Sequence, residues 1–306
     1  MCAMNELKIK RILCATDFCE NSRLALDYAV AFAHHFNATV VLLHALELSP
    51  PAEEAEVITA RPSLSRIAAE ERLEAFASGL RRTGLEVKTV VEDGTPCQVI
   101  LNAVEVHSPD LLVLGVHGNH RGVGHLLIGS NTEKILLTVS CPTLSIGAHI
   151  LGNVHLGLKL KEILYCSDFT PEAAVAAPYA MLLGKEFEVP ADVCHLASTP
   201  SDQDPKSAQK LAEEYCDALR RTMPETADLW CTPAFHLKHA LELNQILKRA
   251  EAETAGLIVL GVRAESQLGR HLHTSFGYQL LTRAVCPVLS IRGGPKIGNS
   301  GNLGAG

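Results

Sequence analysis

The stretch Arg11-Ile-Leu-Cys-Ala-Thr-Asp17-Phe18 returns in this 306-residue chain as Glu162-Ile-Leu-Tyr-Cys-Ser-Asp168-Phe169, at an offset of 151 residues. Each copy is a short β-rich apolar run that ends in a hydroxyl residue, an aspartate and a phenylalanine. That pattern reads as a buried strand followed at once by a polar turn. Later landmarks repeat in the same order. Val40-Val-Leu-Leu-His44 answers Asp192-Val-Cys-His195, Asp110-Leu-Leu-Val-Leu-Gly115 answers Gly256-Leu-Ile-Val-Leu-Gly261, and Cys141-Pro-Thr-Leu-Ser-Ile146 answers Cys286-Pro-Val-Leu-Ser-Ile291. The offset drifts downward between landmarks, where surface loops absorb length changes cheaply. Ordered repetition of this kind is the signature of a duplicated domain.

Within the first copy, apolar runs near residues 11–16, 39–45, 86–91, 111–115 and 143–146 predict strands. They do not alternate with polar residues, as expected of a sheet covered on both faces. Between them, Tyr28, Ala29, Phe32, Ala33 and Phe36 recur at helical spacing, and Ser65 to Leu80 carries Ile67, Leu73, Phe76 and Leu80 among charges. The alternation predicts an α/β fold of two tandem doubly wound domains. Each is expected to be a five-stranded parallel sheet of order 3-2-1-4-5 with helices on both faces. The expected domains are residues 1–150 and 158–293, joined through the glycine-rich link within 147–160, with a Gly/Asn/Ser-rich tail at 294–306 expected to be disordered. Pro178 falls inside the first helix of the second copy and is expected to bend it.

Composition narrows the function. The chain carries 27 basic against 34 acidic residues, a formal charge of −7, and no dense Lys/Arg run, so a nucleic-acid partner is not expected. The uncharged stretch from Ile135 to Leu158 contains Pro142 and several Gly, His and hydroxyl residues, which argues against a membrane span. The first eleven residues show no secretion signal, so a cytoplasmic location is expected, with most of the ten cysteines reduced and buried. No C-x-x-C pair and no zinc-type spacing occurs, so no metal site is expected.

In open parallel sheets, ligands collect at the carboxyl ends of strands where strand order reverses. That rule selects Ala15, Thr16 and Asp17 after the first strand, His44 and Ala45 after the second, and Gly115 through Gly118 after the fourth. The segment from Gly115 to Glu133 is glycine-rich and leads through Gly129-Ser130 into a helix, a combination suited to a phosphate. His117, His120, Arg121 and His125 stand nearby as donors or cations. Two plainer readings stand beside this one. Ser130-x-x-Glu133 is a capping box, and Asp17 is placed to cap the helix that follows it. His34 and His35 suit the end of a helix better than a metal, and His44 and His195 are expected to be packed and hydrogen-bonded.

Taken together, the ending Thr16-Asp17-Phe18, His44, the glycine loop and Cys141-Pro142 resemble the universal stress protein family, across both halves. Its nucleotide-binding members carry G-x2-G-x9-G-[ST] after the fourth strand. The resemblance implies an ATP site, with or without Mg²⁺. Asp17, with the backbone of Ala15 and Thr16, would meet adenine and ribose, and Ala45 would pack near the base. Gly115, Gly118, Gly129, Ser130 and Asn131 would hold the phosphates. The chain departs from that pattern by placing ten residues between Gly118 and Gly129. The second copy keeps the spacing but has Ala264 and Thr274 in place of two glycines, and Tyr278 in place of Glu133, so its site is expected to be weak or empty.

Neither a P-loop, a G-x-S-x-G elbow, an H-E-x-x-H pair nor a kinase signature set is present, and no catalytic residue is expected. The resemblance therefore implies a stress-response protein that binds ATP or a related adenine nucleotide in its first domain and acts as a ligand-dependent switch on an unidentified protein partner. The alternatives are a slow ATPase or autophosphorylating enzyme using a hydroxyl such as Ser130, and an adaptor without nucleotide. Family members pair through their fifth strands, which here implies Thr143–Ile146 against Val288–Ile291 within one chain, with homodimer formation as a further option.

Overall fold

The computed structural model describes residues 6–47, 65–116, 130–150, 158, 160–167, 174–196, 210, 214, 238–241, 243–252, 256–262 and 276–292. The first half contains β1 (Arg11–Ala15), α1 (Glu20–Phe36), β2 (Thr39–Leu46), α2 (Arg66–Arg81), β3 (Val87–Asp93), α3 (Pro96–His107), β4 (Leu111–Gly115), α4 (Ser130–Thr138) and β5 (Thr143–Ile146). The second contains β6 (Ile163–Ser167), α5 (Ala177–Glu186), β7 (Ala191–Leu196), β8 (Lys238–Leu241), α6 (Leu243–Ala252), β9 (Leu257–Val262), α7 (Phe276–Arg283) and β10 (Val288–Arg292). No described helix is long and apolar enough to cross a membrane.

The strands form one ten-stranded sheet in the order β3-β2-β1-β4-β5-β10-β9-β6-β7-β8. Each half therefore runs 3-2-1-4-5 with parallel pairing. The two halves meet through β5 and β10, which pair antiparallel with Leu144 opposite Leu289. Strand order reverses between β1 and β4, where Ile12 pairs with Val40 on one side and Leu111 on the other.

Alternation along the strands assigns the two faces. Ile12, Cys14, Val40 and Leu42 pack with Ala25, Phe32 and Leu73 from α1 and α2, whereas Leu13, Val41, Leu43 and Leu112 pack with Val99, Ala103 and Ile135 from α3 and α4. Helix boundaries have local causes. Ser65 accepts from the Ala68 amide at 3.2 Å to start α2, Pro96 opens α3, and Asn37, in the left-handed region at φ 52°, ends α1. Pro178 interrupts the helical path as expected: Ala174 is helical, 175–176 form a turn, and α5 runs from Ala177 with the proline in its first turn, where its missing N–H leaves no intrahelical bond unmade.

The seam between the halves obeys a local two-fold relation. His35 and Phe36 of α1 meet their repeat equivalents Glu186 and Phe187: His35 Nε2 lies 3.0 Å from Glu186 Oε1, and the Phe36 and Phe187 ring centroids are 6.1 Å apart. Burial pushes the Tyr28 phenol up to about 12, with the Cys286 thiol of the other half adding to it. Its equivalent Tyr179 is raised by burial and, in turn, by Cys141 and Asp110 of the first half.

At the amino ends of the second half's strands, Arg249 of α6 bonds both Glu162, at 2.6 Å, and Asp192. The three side chains are only 10%, 10% and 2% exposed. Burial works against the Arg249 charge, but the hydrogen bond and charge of Glu162, joined by Asp192, hold its pKa above the ordinary value. The position equivalent to Asp192 in the first half is the buried apolar Val41.

The start of α1 lies against the end of β4. A Cβ at Gly115 would come within 2.8 Å of the Ser22 amide nitrogen and 2.9 Å of the Asn21 carbonyl, and the Asn21 side chain donates to the Val116 carbonyl at 3.3 Å. Gly115 thus lacks a side chain because α1 occupies the space.

Two stability measurements check these contacts. Arg249→Ala, which strands two carboxylates in the interior, is expected to cost about 3 kcal/mol in urea unfolding; a loss within about 0.5 kcal/mol, the scale of an ordinary surface change, would mean that water screens the cluster. Gly115→Ala is expected to cost about 1–3 kcal/mol of overpacking in the ligand-free chain. An unchanged melting temperature would contradict the close approach of α1.

Candidate functional site

The carboxyl edge of the first half is built around the turn that follows β1. The Thr16 amide donates to the Leu43 carbonyl at 2.9 Å, which keeps the turn on β2. His44 Nδ1 donates to the Thr16 carbonyl at 2.8 Å, so the ring is buried and hydrogen-bonded, as a strand-end histidine is expected to be. Thr16 Oγ1 accepts from the Phe18 amide at 3.0 Å and lies 3.1 Å from Ser22 Oγ.

Asp17 does not take the helix-capping position itself. Its Oδ1 accepts from the Cys19 amide at 3.0 Å and from Ser22 Oγ at 2.7 Å. The N-cap is Cys19, whose sulfur accepts from the Ser22 amide at 3.4 Å. Asp17 therefore ties the turn to the first turn of α1, with its side chain at the exposed edge.

Phe18 adopts φ 63°, a left-handed conformation that is costly for a bulky residue. Packing offsets that cost. Its ring centroid lies 4.4 Å from that of His44 and 6.1 Å from that of Phe76, and the Arg72 guanidinium sits 4.6 Å from its centroid.

On the opposite face of the sheet, Ala15 and Ala45 lie at the margin of the core packed by α3 and α4, both partly exposed. Two minimal side chains thus stand at adjacent strand ends, beside the point where strand order reverses. The structure thus brings Ala15, Thr16, Asp17, Ala45 and Gly115 to one edge. Ser130 opens α4 and Asn131 follows it, with Glu133 in its first turn, where a carboxylate favours the helix dipole. Gly118, Gly129 and the loop residues His117, His120, Arg121 and His125 lie outside the described residues, as do the side chains of Ser130 and Asn131.

The second half is buried at the corresponding positions. Cys166 stands where the first half has Ala15 and is 1% exposed; Ser167 replaces Thr16 and is 0% exposed; Cys194, in place of Leu43, is also 0% exposed. Leu196 is the sequence equivalent of Ala45. Cys166 and Cys194 are register partners on β6 and β7. Contact with Cys194, followed by burial, raises the Cys166 thiol well above its usual range, and burial pushes Cys14 and Cys286 up to about 12. Such thiols stay protonated and unreactive. None of the described cysteines is in a disulfide, and no group of three or more His, Cys, Asp or Glu among the described residues is placed to hold a metal ion. His34 and His35 bond separate partners, Thr83 Oγ1 and Glu186. Ala264, Arg263, Arg270, His271, His273, Thr274 and Ser275 lie outside the described residues, and so does the His195 side chain.

Sequence reasoning missed the Arg72–Phe18–His44 stack. The only available signal was Phe after Asp in both copies, which says nothing of its left-handed backbone or of the arginine that reaches it from α2.

Comparison with known proteins bears on both halves. The Universal stress protein family matches residues 8–146 and again 159–292. The universal stress protein MJ0531 of Methanocaldococcus jannaschii is 29% identical over 140 residues, covering 44% of this chain and 80% of its own length. A universal stress protein of Thermus aquaticus is 30% identical over 135 residues, covering 44% of this chain and 96% of its own. Among solved structures, a universal stress protein from Archaeoglobus fulgidus aligns over 92% of this chain and 98% of its own with a TM-score of 0.66 at 20% identity, a likeness of fold. With the repeated sheet and the two family matches side by side, the chain belongs to the universal stress protein family as a tandem, two-domain stress-response member.

Proposed function

We propose that the first half binds ATP or a related adenine nucleotide at the edge formed by Ala15, Thr16, Asp17, Ala45, Gly115, Gly118, Gly129, Ser130 and Asn131, and that occupancy switches the chain between states recognised by a protein partner in the cytoplasm. The observation that carries this reading is an asymmetry. At the reversal point of strand order the first half keeps two alanines and a partly exposed Thr16-Asp17 turn, whereas the equivalent Cys166 and Ser167 of the second half are buried.

In this reading the base lies against Ala15 and Ala45, Asp17 accepts a ribose hydroxyl, and the amides at the start of α4 with the preceding glycine loop meet the phosphates. Mg²⁺, where present, screens phosphate charge and needs no dedicated protein ligand. Adenine recognition by apolar contact and backbone groups requires no reacting side chain, in keeping with a binding role. The ligand shifts the population of two states only by its differential affinity for them. α1 is placed to report occupancy, because its first turn bonds Asp17 and its last turn meets Glu186 and Phe187 across the seam.

Isothermal titration with ATP, ADP, AMP and cyclic AMP tests the reading. One adenine nucleotide per chain is expected, weakened roughly tenfold or more in Asp17→Asn, since a charge-assisted hydrogen bond is worth about 1.5–3 kcal/mol. No binding by any of the four would leave the adaptor reading. Phosphate release that disappears in Asp17→Asn would replace the switch by a slow ATPase.

A further inference from the structure

Three arginines of α2 differ in what holds them. Arg66 pairs with Asp93 at 2.6 Å and with Glu70 at 3.5 Å, and Arg81 pairs with Glu74. Arg72 has no carboxylate within ion-pair distance among the described residues, and its guanidinium lies over the Phe18 ring, 4.6 Å from the centroid. A second neighbour of Phe18 is the His44 ring, whose Nδ1 is already committed to the Thr16 carbonyl. Arg72, Phe18, His44 and the Thr16 carbonyl therefore form a continuous chain of contacts from the exposed surface of α2 to the turn after β1.

Phe18 is the weak link of that turn. A left-handed backbone at a bulky residue relaxes unless its surroundings over-determine it. Of the hydrogen bonds that shape the turn, Cys19 N–H to Asp17 Oδ1 spans Phe18 and depends on that conformation directly, while Phe18 N–H to Thr16 Oγ1 holds the residue just ahead of it. Phe76 and His44 hold the ring from the core side, and Arg72 is the only described cation over it.

We propose that Arg72 is a positioning residue for this edge: by covering the Phe18 ring it holds the Thr16–Cys19 turn in its left-handed form and so presents Thr16 and Asp17 to a ligand. It acts through Phe18 and touches no phosphate. Only the ligand-binding part of this inference rests on the nucleotide reading above; the geometry of the turn does not.

The test uses the full chain and two readouts. In the ligand-free protein, amide hydrogen exchange at Phe18 and Cys19 is expected to speed up about two- to fivefold in Arg72→Gln, the factor that matches an exposed cation–π contact. Amides of α1 from Ala25 to Ala33 keep their protection. Arg72→Lys, which retains the cation, restores most of the slowing, and Arg72→Gln adds nothing further in a Phe18→Leu background, as coupling through the ring requires. In the second readout, Arg72→Gln weakens adenosine and ATP by the same factor. Unchanged exchange at Phe18 and Cys19, or full additivity with Phe18→Leu, overturns the proposal. A loss confined to ATP also overturns it, because Arg72 would then be a direct phosphate contact. Should the wild-type chain bind neither adenosine nor ATP, the nucleotide reading falls, and the exchange data alone decide the role of Arg72.

Discussion

The antiparallel junction of β5 with β10 is the constraint on which the rest of the architecture depends. A five-stranded half-sheet ending at β5 would leave backbone N–H and C=O groups of Thr143, Leu144 and Ser145 unpaired, with an equivalent edge at β10. Pairing them inside one chain covers both edges at once. It also fixes the relation between the halves, because antiparallel pairing of equivalent strands places a local two-fold axis at the seam. Equivalent positions then face each other. In a symmetric pair of identical halves, position 35 would meet a copy of itself. Duplication within one chain removes that restriction, and the contact becomes His35 against Glu186, with Phe187 stacked on the imidazole at 4.3 Å.

The same freedom explains how two copies with one fold acquired different carboxyl edges. A strand end in a doubly wound sheet is bordered by loops and contributes little to the core, so its side chains tolerate change. In the first half that edge keeps small side chains and a polar turn. In the second, Cys166 and Ser167 are buried and Cys194 lies beside Cys166, where the first half has the partly exposed Ala15 and Thr16. Of these changes, Ala15 to Cys166 adds buried side-chain volume, whereas Ser167 and Cys194 are smaller than their counterparts Thr16 and Leu43.

Much of this was legible in the sequence, because its main signals are periodic. The run Arg11–Ala15, unalternating and repeated as Glu162–Cys166, predicts a doubly covered strand, and strand order follows from right-handed crossovers. What escaped prediction depends on contacts between distant segments. Gly115 reads as a residue that admits a phosphate, yet the nearest atoms to its absent Cβ belong to the backbone of Asn21 and Ser22. Asp17 reads as the cap of α1, yet the cap is the Cys19 sulfur, one of the less usual acceptors, with Asp17 bracing the turn behind it. The Arg72 stack has no periodic signature, since residue 72 reads as one charge among several on a solvated helix face.

The anchors that hold the sheet and the edge proposed to take a ligand lie at opposite ends of the strands. At the amino ends, Asp110 Oδ2 accepts the Lys10 and Arg11 amides at 2.8 and 3.0 Å in the first half. In the second, Gly256 takes the place of Asp110, and its amide donates to the Glu162 carbonyl at 3.0 Å, while Glu162, Asp192 and Arg249 form the buried charge cluster. A Cβ at Gly256 would fall 2.6 Å from Leu160 Cα, so the first half's aspartate solution is sterically closed there. The buried cluster is costly to form and far more costly to leave incomplete, which makes it a device for a unique register more than a source of net stability. Because these anchors sit a full strand length from the Thr16–Cys19 turn, the carboxyl edge can carry a strained Phe18 in one half and be buried in the other without disturbing what holds the sheet together.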